Sequence, residues 1–208
     1  MSFVLLGENL SIRKFRVIKP EIRVLGIDDG VFKPHTRGFV PVVGVVFRGG
    51  YWLDGVMCTR VRVDGFEATG KIASMILDSP HFKQLRVIML NGITLAGFNV
   101  VDIKKLNAKT GLPVITVTRE KPNFEKIRRA LKNLPRSEER WKAVLNAGEM
   151  FEVMVGGKDK KIYVQTAGIG REDAERILKV TSTRSHIPEA LRVAHIIASG
   201  LCAMRSKS

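Results

Sequence analysis

Apolar and polar positions along this chain follow two periods, and the switches between them set the order of elements. Short apolar runs bounded by glycine, proline or acids predict strands. Apolar residues three and four apart predict helices. The run EIRVLGIDDG (21–30) ends in two acids and a glycine and predicts a central strand. FVPVVGVVFRGGYWLDGVMCTRVRVDG predicts two more strands, turned at Gly49-Gly50. Pro41 lacks a donor and so marks an irregularity or an edge position at the start of the first of these. EATGKIASMILDS carries Ile72, Met75 and Ile76 at helical spacing. RVIML predicts the next strand, which breaks at Asn91-Gly92 into a loop holding Thr94 and Gly97 and ending at Asn99. VVDIKKLNAKTG predicts a helix stopped by Gly111, and LPVITVT a strand.

The second half is more helical. NFEKIRRALKNL and SEERWKAVLNAG predict amphipathic helices separated at Pro135. MFEVMVGGKDKKIYVQTAG predicts a polar-tipped hairpin or two short strands. REDAERILKVTS and IPEALRVAHIIASGL predict closing helices, the second with Pro188 in its first turn. Three antiparallel-type strands, then helix, strand, helix, strand, then mainly helices: this order predicts an α/β fold, a mixed sheet flanked by helices. No repeat or low-complexity linker interrupts it, so residues 1–208 are expected to form one domain.

Composition sharpens the picture. Lys and Arg number 35 against 20 Asp and Glu, a net charge of +15. A globular chain this basic is expected to meet a polyanion, because releasing counterions from phosphates drives association. A lysine-rich surface suited to heat or salt is the alternative. No apolar run approaches the roughly 18 residues a membrane span needs, and the opening MSFVLLGENLSIRKF lacks the pattern of a signal peptide. A cytoplasmic location is expected. Cys58 and Cys202 match no zinc spacing and are expected to be buried thiols in a reducing compartment. The oligomeric state is left open.

Candidate chemistry sits where strands end. Asp28 and Asp29 close the first strand, and alternation puts them on opposite faces. Gly26 removes a side chain on the Asp28 face. Asp64 and Glu67 lie where the third strand passes into the first helix, and Asp102 early in the second helix. Acids converging from separate strands in a basic protein suit a hard divalent ion, which can bridge a phosphodiester. Acids at these places also serve as caps and turn formers. His195 sits in a largely apolar helix, where a hydrogen-bonded core histidine is the ordinary outcome. From Arg119 to Lys142 there are nine Lys and Arg against four Glu, with Phe124 and Trp141 interleaved. That segment is either a solvated helical face or a surface that tracks phosphates.

Four of these pieces, in order and over most of the chain, resemble the endonuclease V superfamily. VLGIDDG resembles its first strand, GFEATGKI its strand-end glutamate and helix, VIMLNGITLAGFNVVDIKKLNAKTGLPVITVTRE its strand, turn, loop, helix and following strand, and HIPEALRVAHIIA its closing helix. The archaeal branch described as deoxyuridine endonucleases is the more similar one. The resemblance implies an RNase H-like fold and a DNA-repair endonuclease that uses Mg2+ or Mn2+ to hydrolyse a phosphodiester near a deaminated base. It implies a site of Asp28, Glu67, Asn91 and His195, with Asp28, Glu67 and Asn91 as metal ligands. It implies nucleic acid, DNA before RNA, as partner, with Arg119 on the phosphate; Lys121, Arg128 and Arg129 extend the same basic face. Two departures stand out. Asn91 occupies the position of an acid, which leaves Asp64 or Asp102 to compensate. And the aromatic-proline wedge is absent, with YWLDG read as its counterpart. The alternative to an enzyme is a nucleic-acid-binding protein on a degenerate nuclease scaffold.

Overall fold

The computed structural model describes residues 12–32, 38–156 and 160–205. Most of the opening segment and the tip of the polar hairpin at 157–159 lie outside them. The central strand is β1 (Arg23–Asp29), followed by β2 (Phe39–Arg48) and β3 (Trp52–Arg62), then α1 (Ala68–Leu77). A 3-10 turn at Phe82–Gln84 leads into β4 (Val87–Asn91). Beyond β4 the glycine-punctuated loop holds two short paired strands, β5 (Thr94–Leu95) and β6 (Asn99–Val100). Then come α2 (Ile103–Thr110), β7 (Val114–Thr118), α3 (Phe124–Leu131), α4 (Ser137–Asn146), β8 (Phe151–Met154), β9 (Lys161–Ala167), α5 (Arg171–Thr181) and α6 (Glu189–Arg205).

Seven strands form one sheet in the order β3-β2-β1-β4-β7-β9-β8. β1, β2 and β3 are antiparallel neighbours, β4 and β7 run parallel to β1, and the β8–β9 hairpin continues antiparallel on β7. This is the mixed sheet expected from the pattern, with the hairpin as its far edge. Pro41 lies within β2, which is a central strand. The β1–β2 register runs as far as Val42, and beyond it the Pro41 carbonyl accepts the Gly30 N–H, a bond that needs no donor from the proline. Gly49, at φ 56, makes the β2–β3 turn in a conformation that disfavours side chains, and Gly111, at φ 67, stops α2.

The sheet has a core on each face. One holds Val24, Val45, Met89 and Ile115 under Ile177, Ala190 and Ala194 of α5 and α6. The other holds Leu25, Ile27, Ile88 and Leu90 under Ile72, Ile76 and Leu106 of α1 and α2. Alternation along β1 therefore sends Gly26 and Asp28 toward α6, and Leu25 and Ile27 toward α1 and α2. A smaller cluster, Val100, Leu131 and Val144 with Phe98 and Trp141, seats α3 and α4 on the loop beyond β4. Cys58 departs from expectation: β3 is the sheet's edge, and Cys58 is exposed there. Among the described residues no helix is long and apolar enough to cross a membrane.

Candidate active site

The parallel strands β1, β4 and β7 end together, and their carboxyl ends carry the chemistry, as open α/β sheets favour. Ile27 pairs with Leu90, so the next residues, Asp28 and Asn91, come side by side. α6 supplies the third member. A side chain at Gly26 would collide with the Ala190 backbone, and one at Gly30 with Ala198 and Cys202. The glycines thus let α6 lie directly along β1. Eight helical residues cover about 12 Å and four strand residues about 13 Å. The helix keeps pace with the strand, and His195 arrives over Asp28.

Asp28 is buried to 3% exposure. Its Oδ2 accepts from Asn91 Nδ2 at 3.0 Å and lies 3.0 Å from Nδ1 of His195, while its Oδ1 accepts the Asp29 N–H. Burial pushes the Asp28 carboxyl above the usual carboxylate range, against the pull of Asn91, the Asp29 amide and His195. Asn91 is exposed, as is the His195 ring. The three side chains thus form a cluster with a buried acid at its base and two nitrogen-bearing groups at its mouth.

Asp29 points to the other face. Its Oδ2 accepts the Ala96 N–H at 2.6 Å. Burial raises its pKa to about 6, opposed by that amide and reinforced by the charge of Asp28. Two adjacent acids, both held above their ordinary range, make this strand end costly to ionise without a compensating cation.

Glu67 is placed differently from expectation. It precedes α1, but its carboxylate turns back and accepts the backbone N–H groups of Arg62 at 2.6 Å and Phe66 at 2.9 Å. Burial opposes its ionisation, but those amides outweigh it and hold the group below the usual range. Glu67 is thus a turn brace, with no contact to Asp28. Among the described residues no three His, Cys, Asp or Glu side chains are grouped as for a metal ion. The expected compensating acids are occupied too. Asp64, at φ 51, accepts the Phe98 N–H, and Asp102 caps α2 through Lys105 N and accepts from Asn146. Each is thus engaged in a loop or cap through at least one carboxylate oxygen.

Several residues that shape this end escape the sequence pattern. Asn99, fully buried, accepts from Ala68 N and donates to the Arg62 carbonyl, so it caps α1 from 31 residues away. Arg140, 2% exposed, donates to the carbonyls of Asp64, Gly65, Phe98 and Pro135. It ties the turn before α1, the loop beyond β4 and the start of α4 into one unit. Its signal was present: Arg140, Val144 and Ala147 share the buried face of α4.

The basic residues lie at the same end of the sheet. Arg119 follows β7 and is exposed, as are Lys121, Arg128 and Arg129. The Arg128 guanidinium lies 5.4 Å from the Trp141 ring centroid, and Arg129 pairs loosely with Glu125 at 3.8 Å. YWLDG is at the opposite end. Trp52 pairs with Arg48, which sits against Arg23 at the start of β1. That is five strand residues, about 17 Å, from Asp28. The counterpart of the absent wedge thus lies away from the Asp28 end of the sheet.

A family model described as endonuclease dU matches residues 20–202. The chain belongs to the endonuclease dU family. Curated relatives include a UPF0215 protein of Methanosarcina mazei, 52% identical over 184 residues, covering 88% of this chain and 92% of the relative. Among solved structures, a protein of unknown function from Archaeoglobus fulgidus superposes with a TM-score of 0.79 at 39% identity, covering 86% of this chain and 98% of that one. Endonuclease V of Ciona intestinalis, in complex with DNA containing an inosine, superposes with a TM-score of 0.57 at 14% identity, covering 90% of this chain and 87% of that one. The fold of the endonuclease dU chain is therefore that of endonuclease V, as its motifs implied.

Proposed function

We propose that this endonuclease dU family member is a divalent-metal-dependent endonuclease that hydrolyses a phosphodiester in nucleic acid, DNA before RNA, near a deoxyuridine or deoxyinosine. The observation that carries the reading is the buried Asp28 carboxyl at a strand end, met on one oxygen by Asn91 and His195. The family and the likeness to a DNA-bound endonuclease V support it.

The donors present fit a hard divalent ion, Mg2+ or Mn2+. Asp28 offers a desolvated carboxylate, Asn91 an amide whose oxygen comes inward on a half-turn of its side chain, and His195 an imidazole nitrogen. Asp28 and Asn91 would hold the ion, with Glu67 reaching it only by leaving its turn. When bound, such an ion supplies Lewis acidity and lowers the pKa of water. The chain's own groups supply the rest. Asp28, accepting from Nδ1, fixes the tautomer of His195 that leaves Nε2 to take or return a proton. Arg119, Lys121, Arg128 and Arg129 hold the flanking phosphates and set the salt dependence.

A second reading, nucleic-acid binding without turnover, rests on a specific observation. Of the three acids expected at the site only Asp28 is there, because position 91 is an amide and Glu67 is hydrogen-bonded into its turn. Incubating folded protein with oligonucleotides bearing deoxyuridine or deoxyinosine, with Mg2+, Mn2+ or chelator, separates the two. The enzyme reading expects metal-dependent nicking that Asp28→Asn abolishes. No cleavage with either metal and either base, alongside salt-sensitive binding that survives Asp28→Asn, gives the second reading.

A further inference from the structure

The groove between α1 and α2 lies on the sheet face opposite α6 and takes no part in the Asp28 cluster. It encloses about 680 Å³ and is lined by Phe66, Glu67, Gly70, Lys71, Ser74 and Lys109, with Ala73 and Leu77 along its floor and lower end. That volume is within the range of clefts that hold a nucleotide-sized ligand. Three features give it a chemistry. Lys71 and Lys109 are exposed, and among the described residues neither is in an ion pair. Phe66 keeps 38% of its surface exposed at the upper end, with the Arg136 guanidinium 3.8 Å from its ring centroid. The one acid of the lining, Glu67, has its carboxylate engaged by the Arg62 and Phe66 amides. Two lysines thus outnumber one acid in the lining, and that acid's oxygens are turned to backbone amides.

Gly70 adds an independent argument. It sits in the first turn of α1, and a side chain placed there would meet nothing within 4 Å among the described residues. A glycine inside a helix costs stability relative to any ordinary residue, and it is usually kept where a neighbour packs too close for a side chain. Among the described residues no such neighbour stands over Gly70, so the surface there is open.

We propose that this groove is a second nucleic-acid contact: it binds one nucleotide of a single strand, the phosphate on Lys71 and Lys109 and the base against Phe66. Glu67, which follows β3, stands at the same end of the sheet as Asp28, so a strand leaving the candidate active site can run into the groove. The proposal rests on the nucleic-acid reading above. It adds a specific location outside the basic face of α3.

Fluorescence anisotropy with a labelled single-stranded 20-nucleotide oligonucleotide, in chelator, tests it on the full chain. Lys71→Gln with Lys109→Gln is expected to weaken binding about tenfold and to lower the salt slope by about 1–2. A charge-matched control, Lys19→Gln with Lys179→Gln, is expected to change binding less than twofold. Phe66→Leu should weaken binding and leave the salt slope unchanged, as loss of stacking does. Gly70→Gln separates folding from function, because it should raise Tm by about 2–4 °C through helix propensity and yet weaken binding several-fold. Equal losses for both lysine pairs, or Gly70→Gln binding as tightly as the parent, would overturn the groove while leaving nucleic-acid binding intact. A parent chain that binds no oligonucleotide would overturn the broader reading as well. Binding to phosphatidylserine vesicles with the same variant losses, and not to oligonucleotide, would assign the groove to a membrane surface instead.

Discussion

Replacing Asn91 by Asp changes one amide into an acid at the position where the family resemblance calls for one. Its side chain then faces Asp28 Oδ2 across the 3.0 Å now spanned by a hydrogen bond. At that separation and an effective dielectric of about 20, two unit charges repel by about 5 kcal/mol. The lost hydrogen bond adds about 1 kcal/mol. The pair avoids most of this by sharing a proton, since Asp28 is already held above its ordinary range by burial. What proton sharing does not relieve leaves a net loss of about 2–3 kcal/mol at pH 8. The direction with pH follows. In chelator the folded pair binds its proton more tightly than the unfolded chain does. Stability is therefore fully present below the unfolded carboxylate value, near 4, and is lost as pH rises through the raised folded value. A divalent ion reverses the loss. At a hundred times its dissociation constant it returns about 2.7 kcal/mol. Thermal unfolding of parent and Asn91→Asp chains, across pH 4–8 with chelator or with Mn2+, reads all of this. The variant should match the parent near pH 4, melt about 5–10 °C lower at pH 8, and recover with metal. In the nicking assay it should cleave faster than the parent. A variant equally stable at pH 8 in chelator, and indifferent to metal, would show that positions 28 and 91 do not face each other.

Two further outcomes bear on the supports of the site. Arg140→Met leaves four buried carbonyls without their donor; water refilling part of the space limits the loss to about 3–5 kcal/mol, measured by urea unfolding, and a loss under about 1 kcal/mol would contradict the clamp. Asp29→Asn keeps an acceptor for Ala96 N–H but removes a carboxyl whose folded pKa of about 6 lies above its ordinary 3.8. In chelator the variant should equal the parent below pH 4 and exceed it above pH 6, by on the order of 2 kcal/mol; a parental slope between those values would refute the burial argument.

What the sequence determined by itself is what short-range geometry controls. A two-residue period fixed the strands and told Asp28 from Asp29 by face. A three-to-four-residue period fixed the helices, and the glycines at 49 and 111 marked turns that need positive φ. That β4 pairs with β1, and so sets Asn91 beside Asp28, was decided by the strand order of the folded sheet. Tertiary structure decided how each polar group is used, because the partners are remote in the chain. Sequence marks Glu67 and Asp64 as acids near a strand end, and the fold brings the amides of Arg62, Phe66 and Phe98 to them. Arg140 looks like one more surface charge of a basic segment until carbonyls up to 76 residues away close around it. Gly26 reads in sequence as a missing side chain on the Asp28 face, and only the fold shows that α6 fills that space and delivers His195 to an acid 167 positions earlier. An acid's fate as ligand, cap or brace depends on which amides reach it first. Chain topology brings those amides, and no local pattern encodes it.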